Sequence, residues 1–207
     1  MTIFTFRPSW SREYQDTYPF PPPATVYGMI LSLIGIEWHD KSKFAGMCMA
    51  IAMQGEPDIS LVFRKFRRVP QSKKNADPLT ERRPDYQDLL IGLKLWLWIS
   101  DGNAEISIVE RVRAILTKPY GQTVSRYGGL SLGESSHLVN EISIRTPSGS
   151  GRFLCRDNRG YYHLPVWVHH PRSGEGKTKL ARFSILDSQI LEEPMADDPR
   201  WIPIEPA

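Results

Sequence analysis

Residues 17–34, TYPFPPPATVYGMILSLI, decide how the chain begins to fold, because a stiff proline run leads directly into a helical pattern. Pro21, Pro22 and Pro23 hold an extended backbone and supply no N–H donors. Gly35 is a suitable residue to end the helix. A rigid lead-in fixes where the helix N-terminus points, and such a terminus can bind an anion. After the proline run, five apolar residues have the spacing of one buried helix face: Val26, Met29, Ile30, Leu33 and Ile34.

The composition is that of a folded, soluble protein with one large domain or two small ones. The chain has 207 residues, of which 41% are hydrophobic and 24% charged, so it can bury a sizeable core. No apolar run is long enough to cross a membrane, and the N-terminus lacks a signal-peptide pattern. The two cysteines, Cys48 and Cys155, make neither a disulfide framework nor a zinc spacing. We therefore expect a cytoplasmic protein without a membrane partner.

Positive charge is concentrated in one segment of the chain. Residues 64–83, RKFRRVPQSKKNADPLTERR, hold eight basic and two acidic residues, which gives this segment a net charge of +6. Since the whole chain carries +3, the remainder carries −3. This segregation predicts a nucleic-acid-binding hairpin or arm, and a solvated loop is the alternative. The residues expected to contact phosphate are Arg64, Lys65, Arg67, Arg68, Lys73, Lys74, Arg82 and Arg83.

Hydrophobic periodicity predicts the order β-α-β-β-(insert)-β-α in the first 120 residues, with the basic insert at about 64–88. This order is close to the ferredoxin-like fold that RNA-recognition motifs also use, so the expected class is α+β. We expect residues 46–54 and 57–66 to form a hairpin, and Asn103 to cap a helix at 104–116. The tail, residues 191–207, is expected on the surface. The other predicted strands are 2–7, 89–99, 139–145, 152–156, 160–168 and 180–186.

The predicted organisation has two parts that pack as one compact unit. Residues 1–120 would form the ferredoxin-like domain, and residues 121–207 a glycine-rich loop followed by a smaller β-rich part. Trp96 and Trp98 share one strand face and are expected to pack in the core.

A glycine-rich stretch at 126–139, RYGGLSLGESSHLV, is the third candidate for function. Its glycines allow close approach of another backbone, and its serines offer hydroxyl donors, although an ordinary loop is the alternative. It matches neither a dinucleotide fingerprint nor a phosphate-binding P-loop. His137 can serve as a general base for RNA cleavage, or as a hydrogen-bonding or structural histidine. Since no histidine or cysteine spacing fits a metal, no metal or cofactor is predicted.

Two of these stretches resemble one protein family. FRPSWSREYQDTYPFPPPATVYGMILSLIG, residues 6–35, resembles the N-terminal signature of the Cas5 family of CRISPR-associated proteins. RYGGLSLGESSHLVNEI, residues 126–142, resembles that family's glycine-rich motif, of the form GxLSLGES. The resemblance covers about residues 3–145 and is strongest to the myxobacterial DevS-like branch of type I-B systems. It also implies several more residues before Phe4 than this sequence has.

The resemblance implies a role and partners. It implies a repeat-associated RAMP fold in which the insert at 64–88 is a thumb hairpin. It implies a non-catalytic subunit of the Cascade surveillance complex that caps the 5′ handle of the guide crRNA and contacts the Cas7 backbone subunit and the Cas8 large subunit. Target DNA would be met indirectly, through the complex. The alternative is a metal-independent endoribonuclease that processes precursor crRNA.

The expected RNA-binding residues outside the basic insert fall into two groups. The N-terminal group would form one wall of the handle pocket beside the start of the helix, and it comprises Arg7, Arg12, Tyr14, Thr25 and Tyr27. The second group belongs to the glycine-rich stretch and comprises Arg126, Tyr127, Gly128, Gly129, Ser131, Gly133, Ser135 and His137.

Overall fold

The computed structural model describes residues 2–8, 10–11, 14–68, 82–117, 124–126, 128–169 and 178–206, without the side chains of 66–68 and 82–83. The helices in these ranges are α1 (Pro23–Leu33), a 3₁₀ turn (Lys41–Phe44) and α2 (Ile108–Leu116). The strands are β1 (Ile3–Phe4), β2 (Tyr14–Gln15), β3 (Cys48–Met53), β4 (Asp58–Arg68), β5 (Arg82–Ile91), β6 (Leu95–Ser100), β7 (Ser150–Arg156), β8 (Tyr162–Trp167), β9 (Lys179–Ile190) and β10 (Ile202–Pro203).

The first sheet is built around a long hairpin. β4 and β5 pair antiparallel from Asp58↔Ile91 to Arg68↔Arg82. On its other edge, β5 pairs with β1 in antiparallel orientation and, further along, with β2 in parallel orientation. Both ends of the predicted basic insert are therefore strands, and the residues between them, 69–81, lie outside the described part of the chain.

The second sheet contains most of the C-terminal half. β3 pairs with β6 on one edge and with β10 and β7 on the other, and β9 then joins β7 to β8. The described pairings confirm the α+β class. The ferredoxin-like arrangement stays a prediction, because β1 belongs to the first sheet and β3 to the second. This sheet takes strands from both sides of residue 120, and the proposed domain division there also stays a prediction.

Two sequence predictions about strand connection are wrong, and glycine turns are the reason. The expected hairpin of 46–54 with 57–66 does not form, because β3 and β4 separate after Gly55 (φ +75°) into different sheets. The expected single strand at 89–99 is broken at Gly92 (φ +75°), where the chain passes from β5 to β6. A positive φ strongly favours glycine, and it redirects the backbone within one residue.

Helix α1 confirms the proline-led prediction. It begins at Pro23, a favourable first helical position for proline, and Gly35 follows its C-cap with φ +74°. Of the predicted stripe, Val26, Met29, Ile30 and Leu33 are buried and Ile34, the C-cap, is half-buried. Tyr27 and Leu31 are buried as well, so the helix is covered on more than one side. Helix α2 begins later than predicted, because Ser107 and not Asn103 is its N-cap. Asp101 supports this start by accepting hydrogen bonds from the N–H groups of Ile108 and Val109.

The core joins α1 to the second sheet. β3 is buried from Met49 to Met53, and it packs in one cluster with α1, Phe183 and Leu164. Trp96 and Trp98 pack on a second cluster around Phe153, which confirms their predicted structural role.

Two predictions about the C-terminal half are wrong. The tail is not a surface segment: β10 pairs with β3, and Ile202 and Ile204 are fully buried. Residues 139–145 form no strand: the N–H of Val139 donates to the Leu130 carbonyl at 2.9 Å, and within the described part of the chain no further strand pairing extends this contact along 140–145.

Candidate nucleic-acid interface

The N-terminal stretch is bonded to the hairpin through both backbone and side chains. β2 lies along β5, so Tyr14 stands beside Tyr86 and Gln15 beside Gln87. Gln15 Nε2 donates to both carboxylate oxygens of Asp85, at 3.0 and 3.1 Å. Tyr14 Oη donates to Asp88 Oδ1 at 2.9 Å, and this bond raises the pKa of the phenol. The stretch before α1 is thus held against the hairpin.

The glycine-rich stretch lies directly on the N-terminal stretch. The backbone N–H of Thr5 donates to His137 Nδ1 at 3.2 Å. Gly133 has φ +89°, and a Cβ there would stand 2.4 Å from the carbonyl oxygen of Thr5. The close approach predicted for these glycines therefore occurs at Gly133, against the protein's own backbone.

The same loop reaches the hairpin through Glu134. Its Oε1 accepts from Gln87 Nε2 at 3.1 Å and lies 3.5 Å from Arg64 Nη1. Arg64 Nη1 also donates to Gln15 Oε1 at 3.0 Å. Arg64 is the extra residue of a β-bulge between Phe63 and Lys65. Since a bulge re-aims its side chain, it explains how Arg64 turns toward the loop.

These contacts join three distant parts of the sequence into one cluster, which we call the polar junction. Its residues are Thr5, Gln15, Arg64, Asp85, Gln87, Glu134 and His137.

The polar junction is partly dry. Gln15, Asp85 and Gln87 are only 4%, 3% and 4% exposed. Burial lowers the pKa of His137, the charge of Arg64 lowers it further, and Glu134 opposes both. A neutral imidazole suits the observed geometry, because Nδ1 accepts a hydrogen bond and a protonated ring has no acceptor. The arrangement indicates a hydrogen-bonding role for His137.

Several predicted contact residues on the three stretches that the polar junction joins have side chains or backbone open to solvent. Arg7 is exposed, and its Nη2 donates to the carbonyl of Ser11 at 2.8 Å. Gly128 has φ +78° and open space where a Cβ would stand, so another molecule can approach its backbone closely. Ser131 is half-buried. The other exposed members are Tyr14, Lys65, Arg126, Gly129, Gly133 and Ser135.

The helix start offers little to an anion. Its N-cap, Pro22, has no N–H, and the N–H groups of Thr25 and Val26 both donate to the Pro22 carbonyl. Thr25 is half-buried. Tyr27 is buried, which raises its pKa, and its hydroxyl donates to the Lys41 carbonyl. The proline run therefore sets geometry, while donors for an anion come from elsewhere.

Some predicted contact residues lie outside the described residues. These are Arg12, Lys73, Lys74 and Tyr127, together with the side chains of Arg67, Arg68, Arg82 and Arg83.

Sequence reasoning missed most of the polar junction. Thr5, Gln15, Asp85, Gln87 and Glu134 were not predicted. One signal was present: Asp85 and Gln87 are polar residues at alternate positions of a strand, so they share a face. Their burial follows from the loop that covers that face, which periodicity within the strand does not reveal.

None of the helices in the described part of the chain is long and apolar enough to cross a membrane. Within the same residues, no group of three or more His, Cys, Asp or Glu side chains could hold a metal ion.

Comparison with known proteins gave one curated relative and several solved structures. The chain is 35% identical over 175 residues to a protein named CRISPR-associated protein Cas5 from Myxococcus xanthus (strain DK1622), covering 81% of this chain and 79% of the relative. No protein-family model matches.

Two solved structures resemble the fold. A chain of a structure titled CRISPR RNA-guided surveillance complex aligns with a TM-score of 0.59 and 11% identity, over 96% of this chain and 92% of that one. A structure titled Crystal structure of Cas protein aligns with a TM-score of 0.51 and 13% identity, over 92% and 90%.

Proposed function

Because this chain belongs to the Cas5 family of CRISPR-associated proteins, we propose that it is a non-catalytic subunit of a Cascade-type effector and that it binds the 5′ handle of the guide crRNA. The fold similarity to a chain of an RNA-guided surveillance complex supports this role. RNA-guided targeting in such complexes leaves sequence reading to base pairing, while protein contacts the RNA backbone.

The observation that carries the proposal is the polar junction. It places the N-terminal stretch, the glycine-rich stretch and the root of the basic hairpin side by side, although they are far apart in sequence. Each of these three stretches also carries an exposed cation, namely Arg7, Lys65 and Arg126. Positive side chains neutralise phosphates, and the open backbone at Gly128 allows an RNA strand to approach closely.

The hairpin is the element we assign as the thumb of a RAMP fold. β4 and β5 carry six of the eight basic residues toward the hairpin end, where the strands pair as far as Arg68↔Arg82, and Lys73 and Lys74 belong to the segment between the two strands in the sequence. A two-stranded arm with this charge can follow an RNA backbone without reading its bases. In this proposal the Cas7 backbone subunit and the Cas8 large subunit bind other faces of the protein.

The non-catalytic assignment rests on the role of His137. Its Nδ1 is engaged by the Thr5 N–H, and the ring is half-buried. The alternative, a metal-independent endoribonuclease, requires His137 as general base in precursor crRNA cleavage.

Two experiments test the proposal. Co-expression with the neighbouring subunits, purification through a tag on this chain and sequencing of the bound RNA should return guide RNAs. Photo-crosslinking of this chain should then map to their 5′ handle. Crosslinks only within the spacer, or a complex that assembles without this chain and retains full handle protection, would overturn the handle assignment.

A cleavage assay separates the two candidate functions. Purified protein is incubated with repeat RNA in EDTA, in parallel with the His137→Ala variant. We expect intact RNA in both reactions. Defined products from the unmodified protein that disappear in the variant would establish the endoribonuclease.

A further inference from the structure

A second cationic surface lies in the six-stranded sheet, whereas the basic hairpin belongs to the other sheet. An open cleft of about 340 Å³ lies beside β8, β9 and the turn after β7. It is lined by Arg156, Asn158, His163, Leu180, Ala181 and Arg182. Neither the polar junction nor the handle proposal uses these residues.

Strand register explains why two of the basic groups converge. His163 and Arg182 are cross-strand partners in β8 and β9, so they project on the same face of the sheet. Arg156 is the last residue of β7, where the strand ends, and it lines the cleft from there. All three basic side chains are exposed.

Other basic residues in or beside this sheet are paired with acids, and the arginines of the cleft are not. Arg152 Nη1 lies 2.6 Å from Glu56, Arg200 Nη2 2.6 Å from Asp198, and Lys179 Nζ 3.2 Å from Glu205. Within the described part of the chain, the side chains of Arg156 and Arg182 form no ion pair.

The acid in the adjoining turn is already satisfied. Asp157 accepts from Ser184 Oγ at 2.6 Å and from the N–H of Arg159 at 2.8 Å. The unpaired charge of Arg156 and Arg182 is therefore available to a ligand from solution.

The donors suit one kind of ligand. A guanidinium group can offer two parallel N–H donors to a phosphate, and Asn158 and His163 add further donors. Tyr161 precedes His163 by two residues, and its ring is 88% exposed, so it can stack on a base. We propose that this cleft binds the phosphodiester backbone of a single-stranded nucleic acid. The proposal goes beyond handle binding, because it needs neither the hairpin nor the glycine-rich stretch.

The test compares salt dependence of binding between matched variants of the full chain. Fluorescence anisotropy is measured for labelled U15 RNA, dT15 DNA and a DNA duplex of 15 base pairs. The variant is Arg156→Gln with Arg182→Gln. The control is Arg111→Gln with Arg113→Gln, which removes two exposed arginines from α2. Circular dichroism confirms that each variant is folded.

The expected result is a smaller salt slope for the cleft variant. Loss of two phosphate contacts at ~0.7 each lowers the single-strand slope by about 1.4, while the control keeps the original slope. A change with U15 alone identifies an RNA strand as the ligand, and a change with dT15 alone identifies a DNA strand. With RNA carrying 4-thiouridine, we also expect crosslinks on the peptide that contains Tyr161.

Other outcomes overturn the proposal. These are an unchanged slope for both single strands, an effect confined to the duplex, or binding of inorganic phosphate without any effect on strands. The outcome is separable from that of the handle proposal, because substitutions in the basic hairpin are measured in the same assay. A loss with hairpin variants alone supports the handle contact and removes the cleft.

Discussion

β3 and the β4–β5 hairpin are consecutive in the chain and are stabilised in opposite ways. β3 lies inside the second sheet, and its residues from Met49 to Met53 are fully buried. In the hairpin, Ile59 and Leu61 of β4 are largely exposed, and the contacts to the rest of the protein are made mainly by β5, through its pairing with β1 and β2, the buried Leu90 and the polar junction. β3 therefore maintains the fold, while the exposed strand β4 of the hairpin presents a surface that can be altered without unfolding.

The largest expected effect is on stability, and it comes from the same isoleucine-to-alanine substitution made in β3 and in β4. Ile51→Ala in β3 removes a fully buried side chain and should lower the free energy of unfolding by about 2–5 kcal/mol. Ile59→Ala in β4 is the matched control, because its side chain is 70% exposed and should change stability by less than about 0.5 kcal/mol. Urea denaturation measures both. Equal losses would show that the hairpin is as much part of the core as β3.

The next effect concerns the contact between the glycine-rich stretch and the N-terminal stretch. Gly128→Ala and Gly133→Ala both place alanine at positive φ, which costs about 1–2 kcal/mol. Gly133→Ala should cost about 1–3 kcal/mol more, because its Cβ meets the Thr5 carbonyl oxygen while Gly128 faces open space. Thermal or urea unfolding of the two variants gives the difference. A loss at Gly128 that matches the loss at Gly133 would contradict the packing described here.

A smaller effect tests whether the polar junction positions the RNA-binding surface. Glu134→Ala removes the acceptor shared by Arg64 and Gln87. Loss of the partly exposed ion pair should lower stability by no more than about 1 kcal/mol, and the buried Gln87 amide left without its acceptor should lower it by about 1–3 kcal/mol more. Binding of U15 RNA should still weaken about fivefold, which corresponds to ~1 kcal/mol. Glu105→Ala, at an exposed position before α2, is the control. Tighter RNA binding after Glu134→Ala would mean that the carboxylate only repels phosphate.

The smallest effect is a pH dependence at His137. Burial lowers its pKa below the ordinary 6.5, so below that pH the unfolded chain binds more protons than the folded one. The contribution of the neutral His137 ring to the stability of the fold is fully present above about pH 6.5, and it is lost as the pH falls through the folded-state pKa. Unfolding temperatures between pH 7.5 and 5.5 should fall less steeply for His137→Asn, which keeps an acceptor and does not titrate. Parallel curves would place the pH dependence elsewhere.

Local signals in the sequence predicted the elements that depend on neighbouring residues. The proline run and the apolar stripe gave α1, and alternating apolar residues gave most strands of the second sheet. Sheet membership was less predictable, because Gly55 and Gly92 redirect the chain in ways that periodicity does not encode. The tail was misjudged for a related reason: Ile202 and Ile204 lie among prolines and acids, and only the edge of β3 makes them core residues.

The candidate site was predictable in its parts but not in its assembly. Segregated charge indicated the hairpin, and the family resemblance indicated the N-terminal stretch and the glycine-rich stretch. Nothing local in the sequence indicates that Glu134 bonds Gln87, since that contact depends on how a loop folds over a strand 47 residues away.

The most direct test of the account is the salt dependence of RNA binding by the hairpin. Replacing Arg67, Arg68, Lys73 and Lys74 with glutamine removes four of its eight basic residues. If these four contact phosphate, the slope of log affinity against log salt for single-stranded RNA should fall by roughly 3, at ~0.7 per contact. The Arg111→Gln/Arg113→Gln control should keep the original slope. An unchanged slope in the fourfold variant would remove the hairpin from the RNA-binding surface and contradict the account.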